Sequence, residues 1–271
     1  GSSILKNNSI KTANIDAELL LSVSLKKSRE KILLNLEKKI NFDEIKNYVE
    51  LINRRKKKQP ISSIIGKKFF WKYEFNVNEN VLIPRPDTEL IIEEILKITK
   101  NKIRLRVLDI GIGSGCILLS ILKEKKNFLG TGIDLSSKCL NMSKNNAYKL
   151  NVSNRVKLFK SNVDKFVNGK YDLIISNPPY IKKLDLKYLE KDVINFEPKL
   201  ALDGGLDGTS EIRKVINKSS ELIKKNGKLV LEIAFDQKHK VKKMLKDKGF
   251  YINKVLKDFG KKDRCVISTK I

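Results

Sequence analysis

Histidine and cysteine are scarce in this sequence of 271 residues, which holds one histidine and three cysteines. With His239 alone, serine-hydrolase triads, histidine-ligated metals and histidine acid–base catalysis have almost nothing to draw on. The cysteines are far apart and odd in number, which argues against a disulfide framework and against a C-x-x-C zinc or redox motif. They are Cys116, Cys139 and Cys265. We therefore expect no metal site, and we interpret His239 as an exposed residue on a helix.

Long apolar segments are also missing, because no stretch approaches the roughly 18–20 unbroken apolar residues of a membrane span. The first residues are polar and do not form the pattern of a signal peptide. The hydrophobic content of 41% and the charged content of 32% are ordinary for a globular protein. We expect a cytoplasmic protein without membrane association, built as one large domain or as one domain with a smaller companion.

Acidic residues are outnumbered: 57 lysines and arginines against 31 acidic residues give a net charge of +26. A basic surface is attracted to the phosphate backbone of nucleic acids whatever their sequence. The lysines are, however, spread along the whole chain beside abundant asparagine and isoleucine, which is also typical of a genome-wide compositional habit. Both interpretations stay open, and either is compatible with proximity to the ribosome.

Residues 1–62 are predicted to form a small helical domain, since apolar residues recur at helical spacing in two segments. The spacing is shown by Ile15, Leu19 and Val23 in the first segment and by Ile45, Val49 and Ile52 in the second. Asn41 and Glu44 are spaced as a capping box at the start of the second helix. The basic run at 54–58 is interpreted as the solvated end of that helix, at the negative end of its dipole.

A β-hairpin over residues 63–84 is predicted to link this domain to the rest of the chain. Its β-branched and aromatic residues flank a polar stretch at 76–80. Directly after it, Asp87 or Thr88 is suited to cap the helix that begins at Glu89.

Strands and helices alternate from residue 85 to 271, which predicts a doubly wound α/β sheet of seven strands. The strands are predicted near 105–110, 128–133, 155–160, 171–176, 228–235, 250–257 and 263–270, with helices near 114–125, 136–150, 208–224 and 237–247. Asn226-Gly227 is suited to stop the third of these helices. A short turn joins the last two strands, which are expected to be antiparallel. Ligands of such sheets bind at the carboxyl ends of the strands, beside the switch point.

A glycine-rich loop follows the first of these strands in "VLDIGIGSGC", residues 107–116. Gly111, Gly113 and Gly115 would let the backbone turn tightly and approach a ligand, while the following helix offers free N–H groups. A tight turn without a ligand is the alternative. The spacing is G-x-G-x-G, whereas a dinucleotide fingerprint requires its third small residue at position 116, where Cys116 stands.

Two acidic residues help to choose the ligand of this loop. Asp134 ends the next strand, where an acid accepts hydrogen bonds from ribose hydroxyls, and that position alone suits NAD and S-adenosylmethionine equally. Asp109 precedes the glycines, where a carboxylate would repel a pyrophosphate but can pair with the amino group of a methionine moiety. The sequence therefore favours S-adenosylmethionine as the cofactor.

The fourth strand of the sheet ends in Asn177-Pro178-Pro179-Tyr180. Neither proline has a backbone N–H and both have a fixed φ, so the turn is stiff and lined with carbonyl acceptors. The side-chain carbonyl of Asn177 adds another acceptor. Such a site fits a planar –NH₂ group, holding both hydrogens while the nitrogen lone pair points elsewhere. Tyr180 can supply a flat wall, and no general base is needed before methyl transfer.

Four segments together resemble the HemK-type protein glutamine N5-methyltransferases that modify peptide chain release factors. They are the Asn-Pro-Pro-Tyr tetrapeptide, the loop at 109–115, "LIPRPDTE" at 82–89 and "NFEPKLALDGGLDG" at 195–208. The resemblance runs from about Pro60 to the C-terminus, and it implies a class I, Rossmann-like methyltransferase domain over 85–271. It also implies that the N-terminal helical domain contacts the substrate protein.

By resemblance, Gly111, Gly113, Gly115 and Asp134 would bind S-adenosylmethionine. Asn177 to Tyr180 would hold the glutamine of the release factor's Gly-Gly-Gln loop and carry the catalysis, with Asn177 also beside the cofactor. Arg85 and Glu197 are expected to shape the same pocket, with roles in the linker and the loop as the alternative. The sequence departs from the family at Asn162 and Val163, which stand at the cofactor where an acid and an aromatic are usual. It departs again at Ala234, where Glu-x-Gly is usual.

Other functions remain as alternatives. An exocyclic base amine presents a similar –NH₂ group, although the N-terminal helices are too few for a target-recognition region. A glutamine of a ribosomal protein is a second alternative substrate, and a non-catalytic module that binds ribosomal RNA is a third interpretation. We expect a monomeric enzyme that acts on a release factor.

Overall fold

The computed structural model describes residues 1–35, 37 and 39–271. The chain divides into two compact units. The first comprises Gly1–Lys67 together with Glu190–Phe196, and the second comprises Lys68–Leu189 and Glu197–Ile271. Within the described residues, we find no helix with both the length and the apolar character that crossing a membrane requires.

Short helices build the N-terminal part of the first unit. They are α1 (Ser2–Asn7), α2 (Ala13–Leu25), α3 (Arg29–Leu33), α4 (Phe42–Lys56) and α5 (Ile61–Ile65). The predicted capping box is present at the start of α4. The Asn41 side chain accepts a hydrogen bond from the Glu44 backbone N–H at 2.8 Å, and the Glu44 carboxylate accepts one from the Asn41 backbone N–H at 3.1 Å. Two otherwise unpaired donors are thus satisfied reciprocally.

The basic run at 54–58 is more than a solvated helix end, so that interpretation is wrong for Arg55. The side chain of Asp16 on α2 is buried, and Arg55 Nε donates to its Oδ2 at 2.7 Å. The Thr12 hydroxyl donates to the same oxygen. Removing a carboxylate from water is costly unless it is paired and hydrogen-bonded, so this contact ties α4 to α2.

The second unit carries a hairpin and a large sheet. Its strands are β1 (Lys67–Phe70), β2 (Tyr73–Asn76), β3 (Arg106–Ile110), β4 (Leu129–Asp134), β5 (Val156–Lys160), β6 (Tyr171–Ser176), β7 (Ile223–Glu232), β8 (Phe250–Lys257) and β9 (Asp263–Lys270). The further helices of the chain are α6 (Glu89–Ile98), α7 (Cys116–Glu124), α8 (Ser137–Lys149), α9 (Lys191–Phe196, in the first unit), α10 (Ser210–Leu222) and α11 (Lys238–Asp247). The predicted hairpin is the β1–β2 pair, and Trp71 and Tyr73 donate to Glu124 of α7.

The large sheet has seven strands in the order β5-β4-β3-β6-β7-β9-β8. Strands β3 to β7 are parallel, and β9 runs antiparallel to both β7 and β8. The predicted doubly wound sheet and its antiparallel last pair are confirmed. Buried apolar residues form one cluster on each face of the sheet, so the parallel strands read as continuous apolar runs. The chain leaves β3 for β4 on one side and later adds β6 on the other, which places the switch point between β3 and β6.

The prediction that Asn226-Gly227 stops a helix is wrong. Helix α10 ends at Leu222, and the two residues lie inside β7, with Asn226 in the left-handed region at φ 62°. The pairing of β6 with β7 shifts register between Tyr171 and Leu173, so several residues of β7 bulge out of the ladder. A turn-forming dipeptide is used here for a bulge in a strand.

Candidate active site

The glycine-rich loop joins β3 to α7, and Gly111 and Gly113 have φ values of 77° and 56°. A Cβ built at Gly111 would meet no atom of the described residues within 4 Å, and one at Gly113 would meet only the Gly111 oxygen, at 4.0 Å. The backbone there faces open space that a ligand can approach. At Gly115 the requirement is internal, since φ is 81° and a Cβ would lie 2.7 Å from Leu119.

Two carboxylates support this loop from different sides. Asp134, at the end of β4, accepts from the backbone N–H of Gly113 at 3.0 Å and from that of Ser136 at 2.9 Å. Asp109 is 2% exposed at the end of β3. Burial raises the pKa of Asp109 to about 7, although a hydrogen bond from the backbone N–H of Leu118 in α7 opposes the shift. Asp109 is therefore a buried carboxyl group where β3 leads into the glycine loop.

Asn162 and Val163 follow β5, at the same edge of the sheet. The Asn162 side chain accepts from the backbone N–H of Asp164 at 3.2 Å and caps a short 3₁₀ turn. Val163 packs partly buried against one of the two core clusters. Because β3, β4 and β5 are neighbouring parallel strands, the glycine loop, Asp134 and Asn162 follow one another along their carboxyl ends.

The Asn-Pro-Pro-Tyr turn follows β6, across the switch point from the glycine loop. Ser176 is fully buried, and its hydroxyl donates to the Ile110 carbonyl at 2.6 Å, which ties the end of β6 to the end of β3. Pro178 is buried, while Asn177 and Tyr180 are half-buried. No donor among the described residues is hydrogen-bonded to the carbonyl of Pro178 or to the Oδ1 of Asn177. Neither acceptor is therefore engaged by the described part of the chain.

The loop at 202–208 packs directly on the backbone of this turn. Gln237 Nε2 donates to the Tyr180 carbonyl at 3.0 Å and to the Gly208 carbonyl at 2.8 Å. The chain after Tyr180 also pairs with the loop, through the N–H of Gly204 to the Ile181 carbonyl at 2.8 Å. A Cβ at Gly204 would lie 2.8 Å from the Cα of Tyr180. Gly204 and Gly208 of the "DGGLDG" segment therefore have to be glycines, because both approach the turn this closely.

Glu232, at the end of β7, is a site residue that the sequence reasoning missed. It is 2% exposed, and its carboxylate accepts from the Thr88 hydroxyl at 2.8 Å and from the Tyr180 hydroxyl at 3.2 Å. Burial raises its pKa to about 7, opposed by the hydrogen bond from Thr88 and by the charge of Arg264. Arg264 is held in turn by Asp258 at 2.8 Å.

Thr88 occupies the predicted N-cap position of α6, but its side chain does not act as a cap. Neither its side chain nor that of Asp87 makes a capping bond at the start of α6. The Thr88 hydroxyl instead joins Glu232 to Asn177, whose Nδ2 lies 3.5 Å from Thr88 Oγ1. Two features of the sequence could have pointed to these residues. Thr88 lies inside "LIPRPDTE", and Glu232, the last residue of β7, stands where the family usually has the glutamate of Glu-x-Gly.

Arg85 and Glu197 are paired with each other. Arg85 Nη2 lies 2.5 Å from Glu197 Oε1, and the Glu197 side chain is 1% exposed against 39% for Arg85. The predicted substrate residues thus join the segment after the hairpin to the loop that follows α9. Among the described residues, no group of three or more histidine, cysteine or acidic side chains is arranged to hold a metal ion.

A sheet of this topology, with an open glycine loop beside an Asn-Pro-Pro-Tyr turn, defines a Rossmann-like methyltransferase. Residues 86–206 match the family model described as Methyltransferase small domain, and residues 1–66 match the PrmC N-terminal domain. A methyltransferase from Pyrococcus furiosus superposes with a TM-score of 0.53 at 19% identity, covering 72% of this chain and 88% of its own. A ribosomal protein L11 methylase from Lactobacillus delbrueckii subsp. bulgaricus gives 0.52 at 19% identity, covering 75% and 89%. These two structures show the fold.

The full-length relatives narrow the class to one family. A release factor glutamine methyltransferase from Clostridium botulinum is 38% identical over 273 residues, covering 100% of this chain and 96% of the relative. Another from Caulobacter vibrioides is 36% identical over 267 residues, covering 98% and 92%. The chain belongs to the release factor glutamine methyltransferase family, and it is an enzyme. The predicted resemblance is confirmed, and it extends over the N-terminal helical domain as well.

Proposed function

We propose that this enzyme transfers a methyl group from S-adenosylmethionine to a glutamine side chain. The acceptor is the amide nitrogen of the glutamine in the Gly-Gly-Gln motif of class 1 peptide chain release factors. The relatives that align over nearly the whole chain carry the name of this activity. The observation that carries the proposal is the stiff turn at 177–180, whose two carbonyl acceptors are bonded by no described residue, beside an open glycine loop.

The residues at the ends of β3, β4 and β5 fit the cofactor. Gly111 and Gly113 leave open space along the backbone, which suits close approach of the methionine part. Asp134 would accept hydrogen bonds from ribose hydroxyls, and Asn162 and Val163 would line the adenine. Asp109 would pair with the amino group of the methionine part, and Gly115 would let the loop pack closely on Leu119 of α7. When bound, S-adenosylmethionine supplies an electrophilic methyl group.

The turn at 177–180 would hold the glutamine amide. An amide nitrogen is a poor nucleophile because it shares its lone pair with the carbonyl, as the rotation barrier of roughly 18–20 kcal/mol in peptide bonds shows. Asn177 Oδ1 and the Pro178 carbonyl would accept the two N–H hydrogens, which returns electron density to nitrogen and fixes its direction. Tyr180 would flank the planar amide, and the Arg85–Glu197 pair would border the pocket. No general base is needed before attack, and one N–H proton of the methylated amide passes to water afterwards.

Peptide mass spectrometry of a release factor incubated with the enzyme and S-adenosylmethionine tests this function. We expect one added methyl group on the Gly-Gly-Gln peptide, and none when the motif glutamine is replaced by glutamate. The Asn177→Ala enzyme should lose roughly 5- to 150-fold in rate, since a buried hydrogen-bond partner is worth about 1–3 kcal/mol. Methylation of a ribosomal protein or of RNA under the same conditions, with the release factor unmodified, would contradict the proposal.

A further inference from the structure

The side chain of Asn177 has to be held in one of two orientations. A primary amide presents an oxygen acceptor at one end and an NH₂ donor at the other, and the two ends have nearly the same shape. Only the orientation with Oδ1 toward the substrate can accept a hydrogen from a glutamine amide. The flipped orientation would set one NH₂ group against another. Some feature of the protein must therefore select the orientation.

Thr88 is the neighbour that contacts the other end of this amide. Its Oγ1 lies 3.5 Å from Asn177 Nδ2, at the long limit of a hydrogen bond. Thr88 is 3% exposed, so water does not compete freely for this position. A hydroxyl can donate or accept, however, and Thr88 alone would tolerate either end of the Asn177 amide.

Glu232 removes this freedom. A hydroxyl carries one hydrogen, and the Thr88 hydrogen is directed to Glu232 Oε2 at 2.8 Å. An ionised carboxylate only accepts, so it does not allow the hydroxyl to reverse. With its hydrogen committed, the Thr88 oxygen offers only lone pairs to Asn177. The NH₂ group then faces Thr88, whereas a flipped amide would place two oxygen acceptors against each other.

We propose that Thr88, fixed by Glu232, sets the orientation of the Asn177 amide so that its Oδ1 faces the methyl-accepting amide. This inference rests on the proposed function, because it assigns a positioning role within the same site. The second oxygen of Glu232 accepts from the Tyr180 hydroxyl at 3.2 Å. One buried carboxylate therefore holds both ends of the Asn-Pro-Pro-Tyr turn, at Asn177 through Thr88 and at Tyr180 directly.

Substitution of the Thr88 hydroxyl by a methyl group tests the inference with little change of shape. In Thr88→Val we expect kcat to fall roughly 5- to 30-fold, with KM for S-adenosylmethionine and for the release factor nearly unchanged. Thr88→Ser keeps the hydroxyl and should restore most of the rate. The matched control is Thr99→Val, which also removes a buried threonine hydroxyl, that of the C-cap residue directly after α6, bonded to the Ile95 carbonyl. The Thr99→Val enzyme should lose about as much stability as the Thr88→Val enzyme, but its kcat should stay near that of the wild type.

A double-mutant cycle shows whether Thr88 acts through Asn177. In the Asn177→Ala background, Thr88→Val should cause almost no further loss of rate, since the amide that it orients is gone. An equal loss in both backgrounds, or equal losses in the Thr88→Val and Thr99→Val enzymes, would overturn the positioning role.

Neutron diffraction of the deuterated wild-type protein reads the orientation without any turnover. We expect the deuterium atoms of the Asn177 amide on the side of Thr88, and the deuterium of the Thr88 hydroxyl on the side of Glu232. A map with Asn177 Oδ1 toward Thr88 would overturn the inference. An enzyme that fails to methylate the release factor would refute the proposed function instead, while the neutron map would still decide the orientation.

Discussion

Gly204 and Tyr180 are in such close contact that a methyl group on Gly204 would lie 2.8 Å from the Cα of Tyr180 and 2.9 Å from its carbonyl carbon. These are backbone atoms and cannot rotate away. The Gly208 oxygen, also 2.8 Å from that methyl position, closes the remaining space. The loop at 202–208 is therefore a rigid support for the turn that we assign to the substrate.

Gly204→Ala should consequently shift the Asn-Pro-Pro-Tyr turn. We expect the variant to be roughly 1–3 kcal/mol less stable, as is usual for overpacking, and to lose turnover more than cofactor affinity. Thermal unfolding and single-turnover methyl transfer measure the two effects. Gly260→Ala is the control, since its new methyl group would meet only the Asp258 side chain, at 3.2 Å. Normal turnover in Gly204→Ala would refute the supporting role of this loop.

The positions of the strands along the chain could be predicted because parallel strands buried on both faces are continuous apolar runs, and they are separated by amphipathic helices. Such runs depend only on neighbouring residues. The places of Gly111 and Asn177 at two neighbouring strand ends were predictable for the same reason, since each residue follows an apolar strand directly. Asn226-Gly227 misled because the turn chemistry of a dipeptide does not distinguish a helix end from a bulge in a strand.

The contacts that hold the site together were not predictable from local sequence. Thr88 is of a residue type that commonly caps helices, but its hydrogen-bond partner Glu232 lies 144 positions further along the chain. Arg55 lies in a basic run that is typical of a solvated helix end, but its ion-pair partner Asp16 lies 39 positions earlier. Polar residues that satisfy each other across the fold leave no periodic pattern, and only the three-dimensional structure pairs them.

Asp134→Ala should weaken S-adenosylmethionine binding, since it removes the proposed ribose acceptor and also frees the backbone N–H groups of Gly113 and Ser136. We expect a loss of about tenfold or more, because a hydrogen bond to a charged group is worth roughly 1.5–3 kcal/mol. Isothermal titration calorimetry measures it. Asp172→Ala is the matched control. Its carboxylate also accepts from a backbone N–H, that of Arg106, but it lies near the start of β6, whereas the proposed cofactor site lies at the carboxyl ends of the strands. Equal affinity in the Asp134→Ala and wild-type proteins would contradict the assignment.

Arg55→Met should destabilise the first unit. It leaves the buried Asp16 carboxylate without its cation, and breaking a buried pair in this way costs about 3–5 kcal/mol. Hydrogen exchange of α2 and α4 reports the loss within this unit. Arg54→Met is the neighbouring control, since Arg54 bonds the Gln59 side chain. Asp16→Asn combined with Arg55→Met should recover much of the stability, and a double variant as unstable as Arg55→Met would argue against a charge effect.

Glu232 is expected to lower the stability of the protein at alkaline pH. Its pKa is raised from 4.5 to about 7, chiefly by burial, and the charge of Asp87 raises it further, while Thr88, Tyr180 and Arg264 oppose the shift. A carboxyl group with a raised pKa contributes its full stability below about pH 4.5 and loses that contribution as the pH rises through about 7. The ionised form that orients Thr88 is thus the form that the fold disfavours.

Glu232→Gln should therefore increase stability and decrease turnover. A neutral amide removes the cost of the buried charge, so the variant should exceed the wild type by on the order of 1–3 kcal/mol at pH 8.5 and by much less at pH 5.5. Asp109 has a pKa of about 7 as well, so the difference between the two proteins isolates the effect of Glu232. Turnover should fall at pH 8.5, because glutamine has one acceptor oxygen for the two hydroxyls of Thr88 and Tyr180, and one of these must reverse. Thermal unfolding and methyl transfer across this pH range measure both, and a variant that gains stability without losing turnover would show that the charge of Glu232 is not required.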